Sequence, residues 1–128
     1  MADRLLTNIM VENLGASADF YAGLLDLKRH FESDWYVILT DQAAQSFELG
    51  LIERNSKLIP ESHRGKPAGA YLTFVVPDAD AVYQRALEQG CKILQKPRDE
   101  FYGQRRFLTL DPDGLMIDVS SPTAPPQQ

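Results

Sequence analysis

Cys91 is the single thiol of this 128-residue chain, and His30 and His63 are its only imidazoles. Nucleophilic and acid-base chemistry therefore have few residues to draw on. A cysteine nucleophile needs a base that holds it as thiolate. No histidine lies near Cys91 in the sequence, so it reads as a small, buried structural residue. No other nucleophile has an adjacent base, and no glycine-rich phosphate cradle appears, which leaves covalent and nucleotide-dependent mechanisms without residues. The sequence names no catalytic residue.

The lone cysteine also excludes an internal disulfide framework and suits a reducing compartment. The start Met1-Ala2-Asp3-Arg4 leads into only a short apolar stretch, and no run approaches the roughly 18 apolar residues that span a bilayer. A cytoplasmic location is expected, with no membrane partner. The formal net charge of −5 repels phosphate backbones and anionic lipid, so nucleic acid is not expected as a partner either. The basic clusters Lys28-Arg29-His30 and Arg105-Arg106 are too short to reverse that field and read as solvated faces.

The elements that would position any site follow from hydrophobic periodicity. Leu5 to Val11 is a short β-forming apolar run, the first strand. Asn13 supplies a helix N-cap, and Leu14, Ala18, Tyr21 and Leu25 recur at helical spacing. Three extended segments follow, Lys28 to Ser33, Trp35 to Thr40 and Phe47 to Glu53, before a polar linker from Arg54 to Gly69. The order then repeats. Ala70 to Val76 is a strand, and Asp78 caps a helix with apolar face Ala79, Val82 or Tyr83, Ala86 and Leu87. Gly90 ends that helix, and the extended segments Lys92 to Gln95, Arg105 to Leu110 and Leu115 to Ser120 follow. Asp111-Pro112-Asp113-Gly114 is a tight turn that makes a hairpin of the last two. Val11 and Val76, which close the two first strands, lie 65 positions apart. The chain thus reads as βαβββ twice, an α+β arrangement with modules at about residues 4–53 and 70–120 of one domain, 1–121. The proline- and glutamine-rich tail, 122–128, is expected to be disordered.

Four stretches carry a likeness to a known group of proteins. They are Ile9-Met-Val-Glu-Asn-Leu14, Ser17-Ala-Asp-Phe-Tyr-Ala-Gly-Leu-Leu-Asp-Leu27, Phe74-Val-Val-Pro-Asp-Ala-Asp80 and Gly103-Gln-Arg-Arg-Phe-Leu-Thr-Leu-Asp-Pro-Asp-Gly-Leu-Met-Ile-Asp118. In this order they resemble the vicinal-oxygen-chelate superfamily of glyoxalases, bleomycin-resistance proteins and dioxygenases, and the Gly103-x-Arg105-x-Phe107 to Asp-Pro-Asp-Gly pattern is closest to the metal-free bleomycin-resistance-like members. The resemblance implies two modules forming a curved, partly open mixed sheet around a cavity, with helices outside. It also implies that Leu6, Asn8, Met10, Tyr71, Thr73, Val75, Met116, Asp118 and Ser120 face the cavity. Leu5, Ile9, Val11, Leu72, Phe74, Ile117 and Val119 would face the helices.

Metal-dependent relatives place His or Gln on the first strand, His on the first strand of the second module and Glu on the last strand, often with a Glu on the fourth. The matched positions here are Leu6, Tyr71 and Asp118, with Glu48 as the candidate on the fourth strand. Two carboxylates are too few for a catalytic transition-metal site, which leans on imidazole. His30 and His63 fall at no matching position. Neither a metal nor any other cofactor is therefore expected. Asp118 and Glu48 read as a general base, a counter-ion for a cationic ligand, or carboxylates satisfied by neighbours such as Tyr71 or Ser120.

The expected walls of the cavity are Trp35, Phe47, Tyr71, Tyr102, Phe107 and Met116, interspersed with Asn8, Glu48, Thr73, Arg105 and Asp118. Such a lining suits a small, largely apolar or aromatic molecule, cationic if the carboxylates act as counter-ions. Bleomycin-resistance proteins hold drugs in this way as dimers, so the resemblance implies a homodimer, with modules paired within one chain or swapped. The competing reading is a divalent-metal lyase, isomerase or dioxygenase that uses Glu48 and Asp118.

Overall fold

The computed structural model describes residues 1–123. The chain divides into two compact units, one spanning Met1–Pro67 and one beginning at Ala68. Each is an open four-stranded mixed sheet with one helix, so the chain has an α+β fold.

In the first unit the elements run β1 (Thr7–Val11), α1 (Leu14–Leu25), β2 (Lys28–Glu32), β3 (Tyr36–Thr40) and β4 (Glu48–Glu53). The sheet order is β1-β4-β3-β2, with β1 parallel to β4 and the other pairs antiparallel. Asn13 caps α1 as expected, its side chain accepting from the Ala16 N–H at 3.0 Å. The helix lies on one face of the sheet and buries Leu14, Ser17, Ala18, Tyr21 and Leu24 against Ile9, Val11, Val37, Leu39, Leu49 and Leu51. Leu24 thus takes the place expected for Leu25. Leu5, expected against the helix, precedes β1 and is 82% exposed, because the sheet begins only at Thr7.

In the second unit β5 (Leu72–Val75), α2 (Ala79–Glu88), β6 (Ile93–Glu100), β7 (Gln104–Leu110) and β8 (Met116–Pro122) repeat the plan with order β5-β8-β7-β6. Asp78 caps α2, accepting from the Asp80 and Ala81 N–H groups, and Gly90 follows the helix with φ +72°. Ala79, Val82 and Ala86 are buried, whereas Leu87 is largely exposed. The Asp111 carboxylate accepts from the Asp113 and Leu115 N–H groups, both at 2.9 Å. Gly114 adopts φ +87°, which completes the anticipated β7–β8 turn.

Two strands of the second unit run past their expected ends. β6 continues past Gln95 to Glu100, with its pairing to β7 irregular between Gln95 and Arg98. Pro97 interrupts the sequence pattern there, yet an edge strand tolerates a residue that cannot donate. At the other end β8 continues past Ser120 to Pro122, the first residue of the expected tail. The Ser121 hydroxyl accepts from the Ala79 N–H at 3.1 Å, which ties the strand to α2. Residues 124–128 of the expected disordered tail lie outside the described residues.

Candidate functional site

Strand alternation gives each sheet a face turned away from its helix. In the first unit that face carries Asn8 and Met10 of β1, Tyr36 and Ile38 of β3, and Glu48, Gly50 and Ile52 of β4. Asn8 pairs with Gly50, which pairs with Ile38, while Met10 and Tyr36 flank Ile52. A concavity of about 340 Å³ opens here, lined by Asn8, Met10, Trp35, Tyr36, Ile52, Leu58 and Ile59. Trp35 stacks on Tyr36 with ring centroids 5.4 Å apart and planes at 21°. A second, more polar cleft beside the start of α1 is lined by Glu12, Arg29, Glu32 and Glu53 among others. Its charges meet in ion pairs such as Arg54–Glu12 at 3.0 Å and Arg29–Glu32 at 3.1 Å. The first hollow is the more apolar of the two.

Gly50 organises the polar end of the apolar concavity. A Cβ at this position would lie 2.1 Å from Asn8 Oδ1 and 2.5 Å from Tyr36 Oη. Because glycine leaves that space free, the Tyr36 hydroxyl reaches across β4 and donates to Asn8 Oδ1 at 2.5 Å. Burial, reinforced by the nearby Glu48 charge, raises the Tyr36 pKa. The phenol therefore stays protonated and able to donate.

Glu48 faces Arg4, whose Nε donates to Oε2 at 2.6 Å while a second guanidinium nitrogen meets Oε1. Hydrogen bonding to Arg4 holds the Glu48 carboxyl below its ordinary range, against the opposing effect of desolvation. A depressed folded-state pKa stabilises the fold above the ordinary value of 4.5, and that contribution disappears as pH falls through the folded pKa. Arg4→Ala should accordingly flatten the loss of stability on acidification below pH 4.5, as urea midpoints measured across that range would register. An unaltered pH profile would mean that the pair is not formed in solution.

In the second unit Asp118 is only 4% exposed. It accepts from Thr73 Oγ1 at 3.0 Å, Ser120 Oγ at 2.8 Å and Arg106 at 3.4 Å. Arg106 also reaches Glu100 at 3.1 Å. Arg105, one residue away, points to the opposite side and pairs with Asp80 and Asp99. Phe107 shares that side. It is fully buried and meets Tyr83 of α2 edge-on at 5.3 Å, so it belongs to the core beneath the helix and not to an open wall. Tyr71 and Tyr102 are half exposed, Tyr102 beside Phe101 in the β6–β7 turn. Phe47 precedes β4 and is 38% exposed, and Met116 opens β8 opposite Leu110. Cys91 is partly buried, and burial raises its pKa, which disfavours the reactive thiolate.

Of the expected wall residues, the described concavity brings together Asn8 and Trp35, and the Asp118 cluster adds Thr73. Sequence reasoning missed Tyr36 and Arg106. Both were accessible through alternation, since Val37 and Phe107 are core residues whose neighbours must face the other way. No such signal existed for Leu58 and Ile59, which sit in an irregular stretch read only as a linker.

The register also tests the implied metal. Asp118 pairs with Thr73, and the position that pairs likewise with Asn8, 65 residues before Thr73, is Gly50 rather than Glu48. The fourth-strand counterpart of Asp118 therefore has no side chain, and its space is taken by Asn8 and Tyr36. Leu6 has no lone pair to offer, and Asp118 is engaged by Arg106. Among the described residues no three His, Cys, Asp or Glu side chains converge as a metal-holding group. These residues do not fit a chelated divalent ion.

Two open four-stranded sheets, each built in the order β-α-β-β-β with one helix on a face, define a glyoxalase-like protein. The chain belongs to the Glyoxalase/Bleomycin resistance protein/Dioxygenase superfamily, whose family model matches residues 4–119. An uncharacterized protein of Mycobacterium bovis is 27% identical over 127 residues, which cover 92% of this chain and 82% of that protein. A glyoxalase/bleomycin resistance protein/dioxygenase family enzyme from Burkholderia phytofirmans has a similar fold, with a TM-score of 0.79 at 18% identity over 94% of this chain and 98% of its own. TnmS3, an antibiotic binding protein from a Streptomyces species, gives 0.74 at 20% identity over 96% and 98%. No described helix is long and apolar enough to cross a membrane.

Proposed function

We propose that this protein binds a small, largely apolar or aromatic molecule without metal, and that it works as a cytoplasmic homodimer of single-domain chains. The observation that carries the reading is the apolar concavity of about 340 Å³ with the Trp35–Tyr36 stack as one wall and Asn8 as its polar point. A mostly apolar hollow with few placed polar groups is the usual form of a small-molecule site. The fold shared with an antibiotic binding protein supports sequestration as the purpose. A cationic ligand draws less support, because Arg4 and Arg106 already compensate Glu48 and Asp118. Within the first unit, Phe47 and Glu48 remain further candidate contacts.

Trp35 is the only tryptophan, so its fluorescence reports on this hollow alone. A panel of planar aromatic antibiotics should include compounds that quench it saturably, and Trp35→Phe should abolish the signal. Sedimentation equilibrium of the same sample should return the dimer mass. Unchanged fluorescence across the panel, or stoichiometric nickel or zinc binding that depends on Asp118, would overturn the reading.

A further inference from the structure

The paired side chains over Gly50 supply more than a wall. In the observed arrangement Tyr36 Oη donates to Asn8 Oδ1 at 2.5 Å, so the oxygen of the Asn8 amide is occupied and its nitrogen is the end left to act. A side-chain amide oriented by a bond to its oxygen presents its two N–H donors on the other side. The protonated phenol cannot reverse these roles without giving up its own donor bond. Asn8 is also an exposed residue lining the concavity, so these donors stand where a ligand would lie beside the Trp35–Tyr36 stack.

The geometry points to a ligand that is a planar aromatic carrying a carbonyl or comparable hydrogen-bond-accepting oxygen, read by the Asn8 amide N–H groups. This rests on the concavity being the ligand site. Three features of the sequence converge on it: glycine at position 50, whose missing Cβ opens the crossing, an amide at position 8, and a phenol at position 36. Phenylalanine at 36 would keep the aromatic wall but free Asn8 to rotate. The phenol is therefore a positioning residue, and Asn8 is the residue that recognises the ligand.

A charge-matched pair of probes isolates the oxygen. 9-Fluorenone and fluorene share a planar, uncharged tricyclic frame and differ in one ketone. Calorimetric titration of the full chain should give about tenfold tighter binding of the ketone, the effect of one net hydrogen bond of about 1.4 kcal/mol. Asn8→Ala should abolish that preference, and Tyr36→Phe should reduce it. Equal affinity for both probes, or a ketone preference that survives Asn8→Ala, would overturn the inference and leave the apolar site standing. If neither probe binds or alters Trp35 fluorescence, the site assignment itself fails, and the inference with it.

Discussion

Phe107→Ala is expected to destabilise the chain by about 3–5 kcal/mol, the cost of removing a fully buried aromatic side chain from a close-packed core. Phe107 is 0% exposed, pairs with Val119 on β8 and meets Tyr83 of α2 edge-on. Truncation removes its transfer energy and leaves a void between sheet and helix that backbone hydrogen bonding prevents from collapsing fully. Domains of this size are typically stable by roughly 5–15 kcal/mol, so a substantial part of the total would go. Urea unfolding gives the value directly. The neighbouring Arg105→Ala, which breaks only solvent-exposed ion pairs to Asp80 and Asp99, should leave the midpoint nearly unchanged. Equal effects of the two substitutions would show that Phe107 is not packed as described.

Asp118→Ala is expected to cost about 2–4 kcal/mol, since it leaves a partly buried guanidinium short of its partner and two hydroxyls without their acceptor. The Asp118 side chain is 6% exposed and that of Arg106 19%, so water replaces the lost bonds incompletely. Thr73 and Ser120 both donate to the carboxylate. Asp118→Asn should cost less in volume yet remain destabilising, because the amide keeps one acceptor oxygen but turns its N–H₂ toward Arg106 or toward a hydroxyl. Arg106→Met should cost less in the Asp118→Ala background than in the original chain, because Arg106 then keeps only Glu100 as a partner. Additive effects of the two substitutions, measured as a double-mutant cycle, would show that the pair is not coupled.

These two residues mark where reading the sequence succeeded and where it fell short. The twofold β-α-β-β-β order, both helix caps and the Asp111–Gly114 turn were legible because each rests on local chemistry. Asn13 and Asp78 offer side-chain oxygens to unpaired helical N–H groups, and Gly114 permits a positive φ. Alternation was legible too, but its assignment to faces failed on β7. Arg105 and Phe107 were both counted with the cavity, although they lie on the helix side of that strand. One buried anchor would have corrected the register, since displacement by a single residue exchanges the faces. The extension of β6 through Pro97 was hidden because pairing to β7, rather than its own propensity, holds that segment.

By itself, the sequence determined the order and kind of the elements and the poverty of nucleophiles and imidazoles. Those properties follow from residue type and from spacing along the chain. Only the tertiary structure decided that Gly50, not Glu48, is the counterpart of Asp118, that the Tyr36 hydroxyl fills the space above it, and that Arg4 and Arg106 engage the two carboxylates. Each of these depends on strand register and on contacts between residues 12 to 45 positions apart. Such contacts come into being only when the sheets pair, so no local pattern in the sequence encodes them.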